Sequence, residues 1–211
     1  MTWTSTFGRA CGVLLDTIVR WLALARINPN VLTFFGLVIN SVAAFLFGYA
    51  NGDTQRKLFF YAGLVIIGSG FFDLVDGRVA RASNRVTRFG GFFDSVVDRY
   101  SDGSLFFGLL VFYARGNRFF YVVLTAFVMI SSIMVSYTRA RAESLIPSCK
   151  VGFMERPERL VLLIIGALFN RMTPALWVIA VISTLTVIHR IRYTWQQTNQ
   201  IEPSAHPIRA A

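Results

Sequence analysis

Four carboxylates stand inside apolar sequence between residues 73 and 98. The stretch opens Asp73-Leu-Val-Asp76-Gly77-Arg-Val-Ala80-Arg81 and resumes after eight residues as Gly90-Gly-Phe-Phe-Asp94-Ser-Val-Val-Asp98. Acids in membrane-type segments are costly, which marks them as functional. Asp73 and Asp76 are spaced i, i+3 and Asp94 and Asp98 i, i+4, so each pair shares one face of a helix. The link between them is short, so the two helices are expected to be antiparallel neighbours with converging carboxylates. Four such groups do not all stay ionised without cations. Hard oxygen donors, with no His or Cys at ligand spacing, favour Mg²⁺, Mn²⁺ or Ca²⁺. Room for two ions would suit phosphoryl chemistry. Gly77 and Ala80 leave space on the first helix, Gly90 and Gly91 allow close approach of the second, and Arg81 with Arg78 can grip phosphate oxygens.

These pairs need helices long enough to cross a bilayer. The chain has 211 residues, 55% of them hydrophobic, with a mean hydropathy of +0.54. That exceeds an ordinary soluble domain and excludes disorder. Apolar runs predict six spans, at about 31–50, 58–79, 91–114, 119–138, 160–170 and 175–191. The reading is an all-α integral membrane protein. Residues 1–28 are expected as an interfacial amphipathic helix, because Arg9, Asp16, Arg20 and Arg26 interrupt its apolar face. Residues 29–195 then form the six-helix membrane domain, with Pro29 starting its first helix and Asn28 capping it. Residues 196–211, with Pro203 and Pro207, read as a disordered tail. The first stretch lacks the basic start and cleavage site of a signal peptide. Cys11 and Cys149 are expected to be free thiols.

The net charge is +10, carried by 21 basic residues. No basic stripe interleaves with stacking aromatics, and the hydropathy does not suit a nucleic-acid partner. The charge reports topology instead. Three turns hold five of the basic residues, Arg56, Lys57, Arg115, Arg118 and Arg171, and the opposite side holds the other 16. By the positive-inside rule both termini and the acid cluster face the cytoplasm, in the cell (inner) membrane.

The acid stretch resembles the signature of the CDP-alcohol phosphotransferases: Asp73-x2-Asp76-Gly77-x2-Ala80-Arg81-x8-Gly90-x3-Asp94-x3-Asp98, with all eight fixed positions at unaltered spacing. The resemblance implies a six-span homodimeric enzyme that moves a phosphatidyl-type group from a CDP-linked lipid to an alcohol and releases CMP. It implies two divalent ions, Mg²⁺ or Mn²⁺, held by Asp73, Asp76, Asp94 and Asp98. Asp98 would also take the proton from the acceptor hydroxyl that attacks the β-phosphorus. Gly77, Ala80 and Arg81 would contact the cytidine diphosphate, together with Asn30 and Thr33 from Pro29-Asn30-x2-Thr33.

The acceptor must be read further along. Arg139 and Arg141 close the fourth span, Glu155-Arg156-Pro157-Glu158-Arg159 opens the fifth, and His189-Arg190-Ile191-Arg192 ends the sixth. A basic border of this kind suits a phosphorylated alcohol. These segments are similar to the branch of the family that makes phosphatidylinositol phosphate, or its archaeal ether-lipid counterpart. That likeness implies CDP-diacylglycerol and inositol phosphate as substrates, with Arg139, Arg141 and Arg190 on the acceptor phosphate. Glycerol 3-phosphate, giving phosphatidylglycerol phosphate, is the alternative acceptor. A divalent-cation carrier is the alternative class, and it would need acids along the membrane depth, where only Asp102 lies deeper than the four.

Overall fold

The computed structural model describes residues 28–82 and 87–201. These residues form six α-helices: α1 (Pro29–Tyr49), α2 (Gln55–Ala82), α3 (Arg88–Arg115), α4 (Phe119–Ala142), α5 (Arg156–Leu168) and α6 (Met172–Ile201). Each answers to one predicted span. The last helix continues past the boundary expected at 195 and ends at Ile201. The amphipathic helix expected over 1–28 falls, but for Asn28, outside the described residues, as do 202–211 of the tail.

Local chemistry sets the ends. The side chain of Asn28 accepts the Asn30 N–H at 3.0 Å, and Pro29 opens α1 with its preset φ. The Thr87 hydroxyl accepts the Gly90 N–H at 2.9 Å and starts α3. The Glu155 N–H donates to the Glu158 carboxylate at 3.0 Å in a capping box at the head of α5. Asn117 and Asn170, with φ of 52° and 53°, turn the chain after α3 and α5 in the left-handed region that Asn tolerates.

Each helix packs against two others, in the cyclic order α1–α3–α4–α6–α5–α2. This corrects one expectation. Among the described residues the two acid-bearing helices, α2 and α3, are not backbone neighbours, because α1 lies against both. Gly108 permits the tightest of these contacts: a Cβ there would lie 2.2 Å from the Ala44 carbonyl oxygen. At one end of the ring a core of Phe47, Phe59, Leu105, Phe106, Leu109, Leu163 and Leu176 is sealed. Edge-on aromatic pairs, Phe47–Phe59 and Phe59–Phe112, each at 4.9 Å, join α1, α2 and α3 there. The other end is where the acids stand.

Three helices are long and apolar enough to cross a membrane: Asn30–Tyr49, Phe119–Ala142 and Met172–Gln200. Their outward faces expose Phe34, Phe45, Phe120, Val181 and Leu185, as a lipid-facing surface should. The other three carry charge or are short. Helices α2 and α3 contain the acids, and α5 has 13 residues. Cys149 is a buried free thiol in a small cluster with Ala142 and Ile146.

Candidate active site

Helix α1 works as the spacer between the two acid pairs. On its α2 side the Ser69 hydroxyl donates to the Gly36 carbonyl at 3.2 Å. A Cβ on Gly36 would stand 3.0 Å from Asp73 Oδ1, so a glycine here lets the carboxylate lie against the helix. On the α3 side a Cβ on Gly90 would stand 3.4 Å from Asn30 Oδ1. The first turn of α1, with Asn30 and buried Thr33, therefore adjoins the start of α3.

What closes the gap between the acid helices is an arginine from α5. Arg156 Nη1 donates to Asp73 Oδ2 at 2.7 Å and lies 2.9 Å from Asp98 Oδ1. Its Nε reaches Asp102 Oδ1 at 3.4 Å, and Arg159 Nη2 donates to Asp102 Oδ2 at 2.6 Å. Asp73 and Asp98 thus converge on one nitrogen, as the spacing predicted, although through a partner 83 residues from Asp73. Asp94 stands one turn before Asp98 on α3, exposed. Asp76, Gly77, Ala80 and Arg81 belong to the last turns of α2, and their side chains lie outside the described set.

A cavity of about 360 Å³ opens beside Asp98. Asp98 and Asp102 of α3 line one wall, and five arginines, Arg99, Arg139, Arg156, Arg159 and Arg190, line it with them. Arg139 Nη1 and Arg190 Nη2 both donate to Glu155 Oε1, at 2.8 and 3.2 Å. Arg190 also donates to the carbonyls of Val135 and Val151, which fix the guanidinium. Met154 N–H to Thr186 Oγ1, at 3.1 Å, holds the loop before α5 against α6. Two of the three arginines expected on an acceptor phosphate, Arg139 and Arg190, therefore meet. Arg141 does not line the cavity, and its guanidinium lies 3.3 Å from the Ser144 hydroxyl instead.

Arg156, Arg159 and Asp102 are the members that spacing along the chain did not assign. The available signal was the run Glu155-Arg156-Pro157-Glu158-Arg159. It repeats arginine at i, i+3 at a capped helix start, so both project from one face.

The donor type, carboxylate oxygen, suits a hard divalent cation, although among the described residues no group of three or more Asp, Glu, His or Cys side chains is gathered closely enough to hold one. Asp73 and Asp98 offer carboxylate oxygens at one point, and that point already holds a positive group, the Arg156 guanidinium. A cluster that recruits a cation from a distant helix demands positive charge.

Comparisons with known proteins give the chain's family. Residues 26–189 match the model of the CDP-alcohol phosphatidyltransferase family. The chain is 36% identical to the archaetidylinositol phosphate synthase of Pyrococcus horikoshii, over 84% of this chain and 88% of the relative. It is 34% identical to the phosphatidylinositol phosphate synthase of Mycobacteroides abscessus, over 88% and 84%. The crystal structure of the Mycobacterium tuberculosis phosphatidylinositol phosphate synthase with CDP-DAG bound superposes with a TM-score of 0.77 at 31% identity, covering 86% of this chain and 93% of that one. The same enzyme in complex with manganese and citrate gives 0.73 at 31% identity, covering 86% and 88%. The chain belongs to the CDP-alcohol phosphatidyltransferase family. It is a helical membrane enzyme, and the carrier alternative falls.

Proposed function

We propose that this enzyme transfers the phosphatidyl group of CDP-diacylglycerol to inositol phosphate, giving phosphatidylinositol phosphate and CMP. The observation that carries the reading is the arginine-walled cavity with Asp98 in its wall. A phosphorylated alcohol needs guanidinium groups for its phosphate and a carboxylate for its hydroxyl, and both are present. The relatives named for inositol phosphate acceptors support the choice over glycerol 3-phosphate.

In this reading Arg139, Arg190 and Arg156 bind the acceptor phosphate and turn its free hydroxyl toward Asp98. Asp98 takes the hydroxyl proton. The hydroxyl oxygen forms a bond to the β-phosphorus, and the bond from that phosphorus to the bridging oxygen breaks. The electron pair leaves with CMP. Asp73, Asp76, Asp94 and Asp98 would hold Mg²⁺ or Mn²⁺, in two ions, which neutralises the diphosphate as charge shifts to the leaving group. Asn30, Thr33, Gly77, Ala80 and Arg81 serve the cytidine diphosphate, and Arg141 is left out of the acceptor site.

The reading extends to topology. Six helices cross or enter the bilayer after an interfacial helix over 1–28, with the site and both termini on the cytoplasmic side. The 16-to-5 division of basic residues supports it. A homodimer follows from the family resemblance.

The test is a CMP-release and product assay on purified protein with CDP-diacylglycerol, Mn²⁺ and, separately, inositol phosphate, unphosphorylated inositol and glycerol 3-phosphate. Product is expected with inositol phosphate alone. Product with glycerol 3-phosphate and none with inositol phosphate would replace this reading by the glycerol one.

A further inference from the structure

The guanidinium groups of the cavity are already engaged. Glu155 Oε1 alone accepts from both Arg139 and Arg190, at 2.8 and 3.2 Å. The Arg190 side chain is 1% exposed and its other bonds go to backbone carbonyls, whereas the Glu155 side chain is 42% exposed. An incoming anion therefore reaches Arg190 only when the Glu155 carboxylate turns out into solvent. Turning it gives up one half of the capping box, in which the Glu155 side chain accepts the Glu158 N–H, while the other half, the Glu155 N–H to the Glu158 carboxylate at 3.0 Å, still holds the start of α5.

We infer that Glu155 is an exchangeable internal counter-ion, a specificity-determining residue whose carboxylate the phosphate monoester of the acceptor must displace from Arg139 and Arg190. The inference rests on the acceptor reading above. A phosphate monoester brings close to two negative charges and three acceptor oxygens, against the single charge of Glu155. It can satisfy both arginines and still gain. A monoanion exchanges one charge for another, and a neutral polyol offers less than the carboxylate already there. Glu155 thus makes the cavity select dianions, at the cost of a lower apparent affinity, since the arginines are competent only while Glu155 is away.

The residue also adjoins the acid cluster. Its neighbour Arg156 holds Asp73 and Asp98, so the same helix start carries the counter-ion of each charged group.

The experiment is calorimetric titration of inorganic phosphate into the detergent-solubilised full chain. Glu155→Gln keeps the size and removes the charge. Its phosphate affinity is expected to rise roughly three- to tenfold, the fraction released when the internal competitor is lost. Glu155→Asp keeps the charge and the cap but cannot span both arginines, and a smaller rise is expected. Arg139→Ala should abolish most of the binding, which assigns the heat to this site. Soluble CDP reports on the donor side, and its affinity should stay the same in all of them. Unchanged or weaker phosphate binding in both Glu155 variants overturns the inference. So does a rise for CDP equal to that for phosphate, or phosphate binding that survives Arg139→Ala. The acceptor reading fails separately: a wild-type enzyme that makes no product from inositol phosphate loses that reading while the phosphate titrations still judge Glu155.

Discussion

The half of the ring made by α1, α2 and α3 and the half made by α4, α5 and α6 hold charge in opposite ways. The first presents carboxylates and imports a cation, Arg156 of α5. The second presents arginines and quiets two of them with a carboxylate, Glu155. Adjacent residues of one short helix therefore serve the opposite needs of the two halves. In the proposed reaction these paired charges would meet ligands of the missing sign: divalent cations on one side, a phosphorylated alcohol on the other.

The comparison can be broken most directly at Asp98. Asp98 stands on α3, in the first half, and lines the arginine cavity of the second. Asp98→Asn is expected to cut CMP release by about 10²–10⁴-fold, the usual worth of a general base. A turnover within tenfold of wild type would remove Asp98 from that role. Next, Arg139→Ala should raise the acceptor KM by roughly 10–100-fold, the loss of a hydrogen bond to a charged group, while Arg141→Ala should move it less than about twofold. Steady-state kinetics with inositol phosphate reads both, and equal effects would erase the distinction between lining and merely adjacent arginines.

Arg156→Ala sharpens the contrast from the stability side. It strips Asp73 and Asp98 of their shared cation. The side chains are about a fifth exposed, so the expected cost is ~2 kcal/mol, below the 3–5 of a fully buried pair. Thermal melting should show the loss, and Mn²⁺ should restore more stability to the variant than it adds to wild type. A modest effect on turnover is expected at Gly36→Ala. The new methyl would press Asp73 Oδ1 from 3.0 Å. Activity should fall by about two- to fivefold, as a small misplacement of one ligand would give, with no change in acceptor KM.

The acid half was legible because its information is local. Spacings of three and four within a helix put the carboxylates on shared faces before any fold is known. The helices themselves followed from apolar runs, and the start of the first from Asn28-Pro29. The neighbour relation of α2 and α3 was not legible. A short link does not force contact when Gly36 and Gly108 let α1 pack closely against both helices. The arginine half was visible only as a border of positive charge, which topology explains equally well. That Arg139 meets Arg190 and that Arg141 turns to Ser144 depends on the loop before α5, tied to α6 through Met154 and Val151. Contacts across 35 to 83 residues leave no periodic trace.

The brevity of α5 has its own consequence. Thirteen residues make a rod of roughly 20 Å, about 10 Å short of the hydrocarbon thickness, while the 30 residues of α6 reach roughly 45 Å. The head of α5, with Glu155 and Arg156, lines the arginine-walled cavity and so lies below the ends of its longer neighbours. In the proposed reaction the short helix would let a water-borne acceptor reach the carboxylates through that cavity while a lipid donor keeps its tails in the bilayer.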